Sequence, residues 1–295
     1  MIDPKAVTTY AQYNEDLILL ALFADLKTGF YVDVGANYPT IDSVTKLFYD
    51  KGWTGINIEP IKGLQEQLQR ERPKDINLQC GVGDTPKKAT LREYTSVSGH
   101  STFDAKQKAA QDKRLEYVDY EVQIKTLKQI FDANKVKGIQ FLKIDVEGFE
   151  YEVVAGNDWK KYRPEVICIE ANHVSRDWRP ILERNQYRLF IADGLNEYYV
   201  EDKAWKRTEN FAERIINIDY HALKQHQWQS WSKDSEDLER LHGIIAEQAI
   251  AIESLTQKAR EAERLSLKNR SYAGRLKRAV YGLTVDWVKY KRNSK

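Results

Sequence analysis

Five short apolar runs in this sequence end, always on the same side, in an acid or a glycine. The first closes as Asp33-Val34-Gly35-Ala36-Asn37 and the second as Glu59-Pro60. The third closes as Gly81-Val82-Gly83-Asp84, the fourth as Asp145-Val146-Glu147-Gly148 and the fifth as Glu170-Ala171-Asn172-His173. Solvated loops are polar too, but they would not place an acid at the same end of run after run. A shared ligand site is therefore expected at these ends. Gly35 lets backbone approach a ligand closely. The turn Gly35-Ala36-Asn37-Tyr38-Pro39 lacks the further glycines of a G-x-G-x-x-G dinucleotide motif, and the G-x-x-x-x-G-K-[ST] triphosphate motif is missing. Asp33 would repel a pyrophosphate and suits an ammonium group instead. Glu59, 24 residues beyond Gly35, is placed to accept both hydroxyls of a ribose.

Asp145 and Glu147 leave two chemistries open. One carboxylate could serve as general base toward a hydroxyl, or both could ligate a divalent cation. Lys143 falls on the same side of its strand as Asp145 and can tune it by charge. His173 is the alternative base because an ordinary imidazole titrates near neutrality; its plain reading is a surface histidine. His100 is a further candidate of the same kind.

These residues need a frame that gathers strand ends. FYVDV (30–34), TGINIEP (54–60), INLQC (76–80), IQFLKID (139–145), EVICIE (165–170) and YRLFIA (187–192) read as buried strands. YVDYEVQI (117–124) alternates and reads as an extra, half-exposed one. Helical stretches lie between them: roughly 40–51, then 63–72 stopping before Pro73, and 126–135 opening on Thr126 as a cap. Strands spaced by helices argue for a parallel sheet covered on both faces, which binds ligands at the carboxyl ends of its strands.

The stretch GFYVDVGANYPTIDSVTKLFYDKGWTGINIEP (29–60) closely resembles the opening of the FkbM family of methyltransferases. FLKIDVEGFEYEVVAGNDWKKYRPEVICIEAN (141–172) resembles the family's second signature block. AQYNEDLIL (11–19), GVGD (81–84), GHST (99–102) and DGLNEYYV (193–200) fit as well, so the resemblance covers about 10–220. It implies a Rossmann-like methyltransferase sheet with helices on both faces and S-adenosylmethionine as methyl donor. It also implies O-methylation, often of sugars or natural products. On this reading Asp33, Gly35 and Asn37 hold the methionine end of the donor, and Glu59 its ribose. Gly83 and Asp84 border the adenine, Ser101 touches the donor, and Gln12 and Glu15 cap the pocket. Asp145, Glu147, Lys143 and His173 then lie near the transferred methyl, where alignment and a weak base suffice.

Composition sets the remaining limits. Apolar residues make up 42% of the 295 and charged ones 31%, which suits a folded globular chain. No apolar run approaches the roughly 20 residues that span a bilayer, and the N-terminus lacks the pattern of a secretory signal. Cys80 and Cys168 lie in strand-like runs and read as reduced core thiols. A cytoplasmic location, possible also at the inner membrane face, is expected. Residues 270–295 hold eight lysines and arginines against one aspartate, so they carry +7 and leave the first 269 residues at −5. An acidic body does not grip nucleic acid over its main surface.

Three segments are expected: a methyltransferase domain over 1–232, a coiled-coil-like helix over 233–269 and a basic aromatic tail over 270–295. Within 234–268, Leu238, Leu241, Ile245, Gln248, Ile252, Leu255, Ala259 and Ala262 follow heptad spacing, which suits self-association; a helix packing back on the domain is the alternative. The tail's cations and aromatics suit an anionic membrane surface. The functional expectation is an O-methyltransferase acting on a sugar hydroxyl of a surface polysaccharide or glycolipid. A natural-product methyltransferase and a non-catalytic scaffold retaining the fold are the alternatives.

Overall fold

The computed structural model describes residues 8–95, 98–111, 115–172, 174–216 and 224–225. The chain opens with β1 (Thr8–Thr9), α1 (Glu15–Leu22), β2 (Phe30–Val34), α2 (Lys46–Asp50), β3 (Thr54–Ile58) and α3 (Lys62–Glu71). β4 (Ile76–Leu78), β5 (Gly81–Val82), β6 (Lys87–Tyr94), α4 (Ala105–Gln111) and β7 (Tyr117–Lys125) follow. Next come α5 (Leu127–Ala133), β8 (Phe141–Ile144), α6 (Glu150–Ala155), β9 (Val166–Glu170) and α7 (Arg179–Arg184). β10 (Tyr187–Ala192), β11 (Asn196–Glu201), α8 (Phe211–Ile216) and β12 (Lys224–Gln225) complete the described elements. Residues up to Thr208, with β12, form one compact unit, and α8 falls to a second. The expected coiled coil at 233–269 and the basic tail at 270–295 lie outside the described residues.

The main sheet has seven strands in the order β10-β11-β9-β8-β2-β3-β4. Neighbours from β4 through β9 pair in parallel, and β11 runs antiparallel to both β9 and β10. The order reverses between β2 and β8, so the chain leaves these adjacent strands in opposite directions and opens a crevice at their carboxyl ends. A second sheet, β5-β7-β6, holds the alternating 117–124 run as β7, paired along its whole length with β6. Sequence periodicity had not shown β6, whose KKATLREY is largely polar and half exposed. It had also not shown β11, buried at every position and so without alternation.

Register explains why this sheet can hold charge. One face of β2, β3, β8 and β9 carries Val32, Val34, Ile56, Ile58, Leu142, Ile144, Ile167 and Ile169, all packed into one core. On the opposite face the register aligns Asn77, Asn57, Asp33, Lys143, Cys168 and Tyr198 in a single rung across six strands. Beneath that rung an aromatic cluster closes the floor: Phe141 lies 4.8 Å from Phe48 and 5.7 Å from Tyr31, centroid to centroid. Thr126 caps α5 in a reciprocal capping box with Gln129, as its position had suggested. Cys80 and Cys168 are buried free thiols.

Candidate functional site

Lys143 is the electrostatic centre of the polar rung. Its ammonium lies 3.1 Å from Asp145 Oδ2 and 3.7 Å from Asp33 Oδ1, and donates to the Gly35 carbonyl at 3.2 Å. Burial opposes that charge, but Asp145 and Asp33 outweigh it and hold the amine well above its usual range. Burial in turn raises the Asp33 carboxyl, even though Lys143 and the Thr45 hydroxyl pull it down. Thr45 Oγ1 donates to Asp33 Oδ2 at 2.8 Å, whereas among the described residues Oδ1 is buried without a hydrogen-bond donor. Behind Thr45 stands a buried scaffold that the sequence reading missed. Arg72 donates to Thr45 Oγ1 at 2.8 Å, pairs with Asp75 at 3.0 Å and reaches the Asn57 amide oxygen at 3.3 Å. The arginine is fully buried. Its only sequence signal was its place before Pro73, which reads as a helix end.

The turn after β2 is built for close approach. Gly35 has φ +81, and a Cβ there would meet the Asp145 carbonyl oxygen at 1.8 Å. The Gly35 and Ala36 amides both donate to the Ile58 carbonyl, at 3.0 and 3.2 Å. Asn37 also has positive φ, at 51, and its amide donates to Glu59 Oε2 at 2.8 Å, while Ile61 donates to Oε1 at 2.9 Å. Glu59 thereby ties the β2 turn to the start of α3. Each of its oxygens keeps a second lone pair, and burial raises its carboxyl to about 7. Next to it, Tyr38, Ile61, Leu64 and Tyr120 wall a pocket of about 450 Å³, with Glu93 and Ser98 among its polar lining.

The other expected site residues are placed as follows. Ser101 Oγ accepts the Tyr94 amide at 3.2 Å and so serves β6, while Ser98 Oγ donates to Asn37 Oδ1 at 3.1 Å. Gly83 packs against Ile124 and Phe149, and Asp84 accepts from its neighbour Thr85 at 2.7 Å. Gln12 is half-buried in the turn before α1. Glu15 is buried; it accepts the Tyr13 amide at 2.8 Å and the Asn196 side-chain amide at 3.1 Å. His173 lies outside the described residues.

The acids of β8 and β9 converge. Asp145, Glu147 and Glu170 each offer a carboxylate oxygen within 4.8 Å of the other two. The loop that brings Glu147 inward has two successive positive φ values, 52 at Glu147 and 95 at Gly148. It is pinned by Glu150, which accepts the Val146 and Gly148 amides at 3.2 and 3.1 Å. Burial, then the charges of Asp145 and Glu150, push Glu147 up to about 9. Burial and the charges of Asp145 and Glu147 push Glu170 up to about 11. His100 Nδ1 stands 4.0 Å from Glu147 Oε1. Glu170 was visible in the sequence as a strand-end acid, but nothing there showed that it joins the other two.

A crevice lined by acids at the ends of parallel strands, with one tight glycine turn, suits a cationic ligand that carries hydroxyls. A family model described as the methyltransferase FkbM domain matches residues 33–189, more than half of the chain. The match spans the rung, the β2 turn, Glu59 and the three converging acids. No curated protein matches the chain.

Proposed function

The chain belongs to the FkbM methyltransferase family, and we propose that it moves a methyl group from S-adenosylmethionine to a hydroxyl oxygen, in a sugar of a surface polysaccharide or glycolipid. The observation that carries this reading is the β2 turn. There a buried Asp33 with one donor-less oxygen, a glycine at φ +81 and the paired lone pairs of Glu59 lie within one loop crossing. The donor supplies an electrophilic methyl on a sulfonium, and its amino-acid ammonium and ribose hydroxyls match the acceptors present. Asp33, Gly35 and Asn37 hold the amino-acid end. Glu59 accepts the ribose hydroxyls, and the apolar walls at Tyr38 and Ile61 take the base. Gln12, in the turn before α1, and Glu15 behind it are assigned to cap the donor site.

Asp145 is the general base on this reading. Lys143 fixes one of its oxygens at 3.1 Å, and its side chain is 35% exposed, so an acceptor hydroxyl can reach it. As the hydroxyl oxygen's lone pair forms the new C–O bond, the C–S pair returns to sulfur and the hydroxyl proton passes to the Asp145 carboxylate. Lys143 steadies that carboxylate before transfer and is too firmly protonated to act as base itself. For the segments beyond the described residues, we propose self-association through 234–268 and attachment to anionic lipid through 270–295.

Calorimetry with S-adenosylmethionine, followed by transfer of a labelled methyl group to a panel of glycans and glycolipids, tests the reading. Saturable donor binding with label on a sugar hydroxyl is expected. Absence of donor binding overturns the enzymatic reading, and label appearing only on small non-sugar acceptors overturns the acceptor class.

A further inference from the structure

Asp145, Glu147 and Glu170 meet at the carboxyl ends of two adjacent parallel strands, where β8 and β9 pair in register from Phe141–Val166 to Ile144–Ile169. Their facing oxygens all lie within 4.8 Å of one another. Hard divalent cations bind oxygen at about 2.0–2.6 Å, so oxygens on opposite sides of one ion stand roughly 4–5 Å apart. The three oxygens thus fall within the upper limit for ligands that can close around a single ion, with the side chains drawing together as they bind.

Glu170 supplies an independent reason to expect an occupant. The residue is 9% exposed, and among the described residues no amide, hydroxyl or ammonium donates to its Oε2, which is sealed from solvent; the Asp145 carboxyl is the side chain within hydrogen-bond reach of Glu170. Among the described residues, its Oε1 accepts the Asn172 side-chain amide, at 2.9 Å. A buried acceptor left without a donor is costly, and a carboxylate directed at two others compounds that cost. Lys143 offsets part of the charge, but its ammonium is already shared among Asp145, Asp33 and the Gly35 carbonyl.

We propose that Asp145, Glu147 and Glu170 bind one hard divalent cation of the Mg2+ or Mn2+ type between the ends of β8 and β9. The donor set is all oxygen, which favours these ions over the softer metals that seek thiolate or imidazole. Three protein ligands would leave further coordination positions of such an ion unfilled. If the hydroxyl-methylation reading holds, those positions suit two adjacent oxygens of the acceptor, as in a vicinal diol. The bound hydroxyl would then lose its proton more readily, to solvent, and with the cation in place Asp145 would act as ligand rather than as the base that takes that proton. The cation site itself does not depend on that role.

The test uses the full-length chain, stripped with a chelator and titrated with Mn2+ by calorimetry and by loss of the free-ion paramagnetic signal. One Mn2+ per chain is expected, displaced by excess Mg2+. Glu170→Gln and Glu147→Gln should each weaken it about tenfold or more while circular dichroism stays native. No saturable Mn2+ binding by the wild type overturns the proposal, as does wild-type affinity in both variants; those results mean that the three carboxyls are held by shared protons. Should Glu170→Gln fail to fold, the more accessible Glu147→Gln decides alone. S-adenosylmethionine titrated into the same samples separates the two readings. Donor binding without Mn2+ binding overturns only the cation site. Mn2+ binding without donor binding leaves that site standing and overturns the methyl-donor reading.

Discussion

Glu59 does two jobs with one carboxylate, and that sets what its removal should cost. It accepts the Asn37 and Ile61 amides at 2.8 and 2.9 Å, and its remaining lone pairs are those assigned to the donor ribose. Hydrogen bonds to a charged acceptor contribute roughly 1.5–3 kcal/mol each. Glu59→Ala should therefore weaken S-adenosylmethionine binding by about 100-fold or more, and lower the melting temperature because two buried amides lose their acceptor. Unchanged donor affinity by calorimetry would remove the ribose assignment. Asp145 is different: it is partly open and, among the described residues, no backbone amide donates to it, so beyond its pairing with Lys143 its work is chemical. Asp145→Asn should cut turnover by about 10²–10⁴, the usual contribution of a general base, and lower the melting temperature much less than it lowers turnover, because Lys143 keeps Asp33 as a charged partner. Full activity in that variant, with loss of activity in His173→Ala, would move the base to the histidine.

At the scale of elements, the crossing of the β2 turn over β8 is the most demanding contact. Gly35→Ala places a methyl 1.8 Å from the Asp145 carbonyl at a backbone angle of +81, which L residues rarely adopt. Either the turn or the end of β8 must move, and both carry site residues, so donor binding should be lost. An alanine variant that binds the donor normally would show that the turn is not the binding element. Thr126→Ala provides the contrast. It breaks the capping box of α5 and should cost about 1 kcal/mol of stability. Because α5 supplies none of the assigned ligand-binding residues, donor affinity should hold.

For the whole molecule, buried acids set the pH response. Burial raises the Glu15 carboxyl from 4.5 to about 7 and that of Asp16 from 3.8 to about 6. The folded state thus keeps these protons more tightly than the unfolded chain. Stability is greatest below the unfolded values and is lost as pH climbs through the folded ones. For Glu15 alone the loss across that window is on the order of 3 kcal/mol. The ligand-free protein should melt at a lower temperature at about pH 8 than at about pH 5, and a flat or rising profile would contradict that burial. Among the described residues no helix is long and apolar enough to cross a membrane. Deleting 233–295 should leave a folded chain that binds the donor, because every assigned ligand-binding residue precedes the cut. The same deletion should abolish salt-sensitive sedimentation with anionic vesicles; equal sedimentation of both forms would rule out the lipid proposal.

The sequence by itself determined the strands of the core and the acids at their ends. Burial of a strand writes itself locally as an apolar run, and its exit writes itself as an acid or glycine. That was enough to locate Asp33, Gly35, Glu59 and Asp145 and to suggest the family, which the match over 33–189 bears out. It was not enough for β6, whose polar face hides it, or for β11, which has no exposed face to alternate with. Only the tertiary structure decided which side chains meet, since sheet register joins residues far apart in the chain and leaves no local mark. Register is what sets Lys143 between Asp33 and Cys168, and the pairing of β8 with β9 is what carries Glu170 to Asp145 and Glu147. The same long-range packing brought Arg72 beneath Thr45 and put Ser98 on Asn37 while Ser101 was drawn to β6. A serine or an arginine in a loop or at a helix end looks the same in sequence whichever partner the fold gives it.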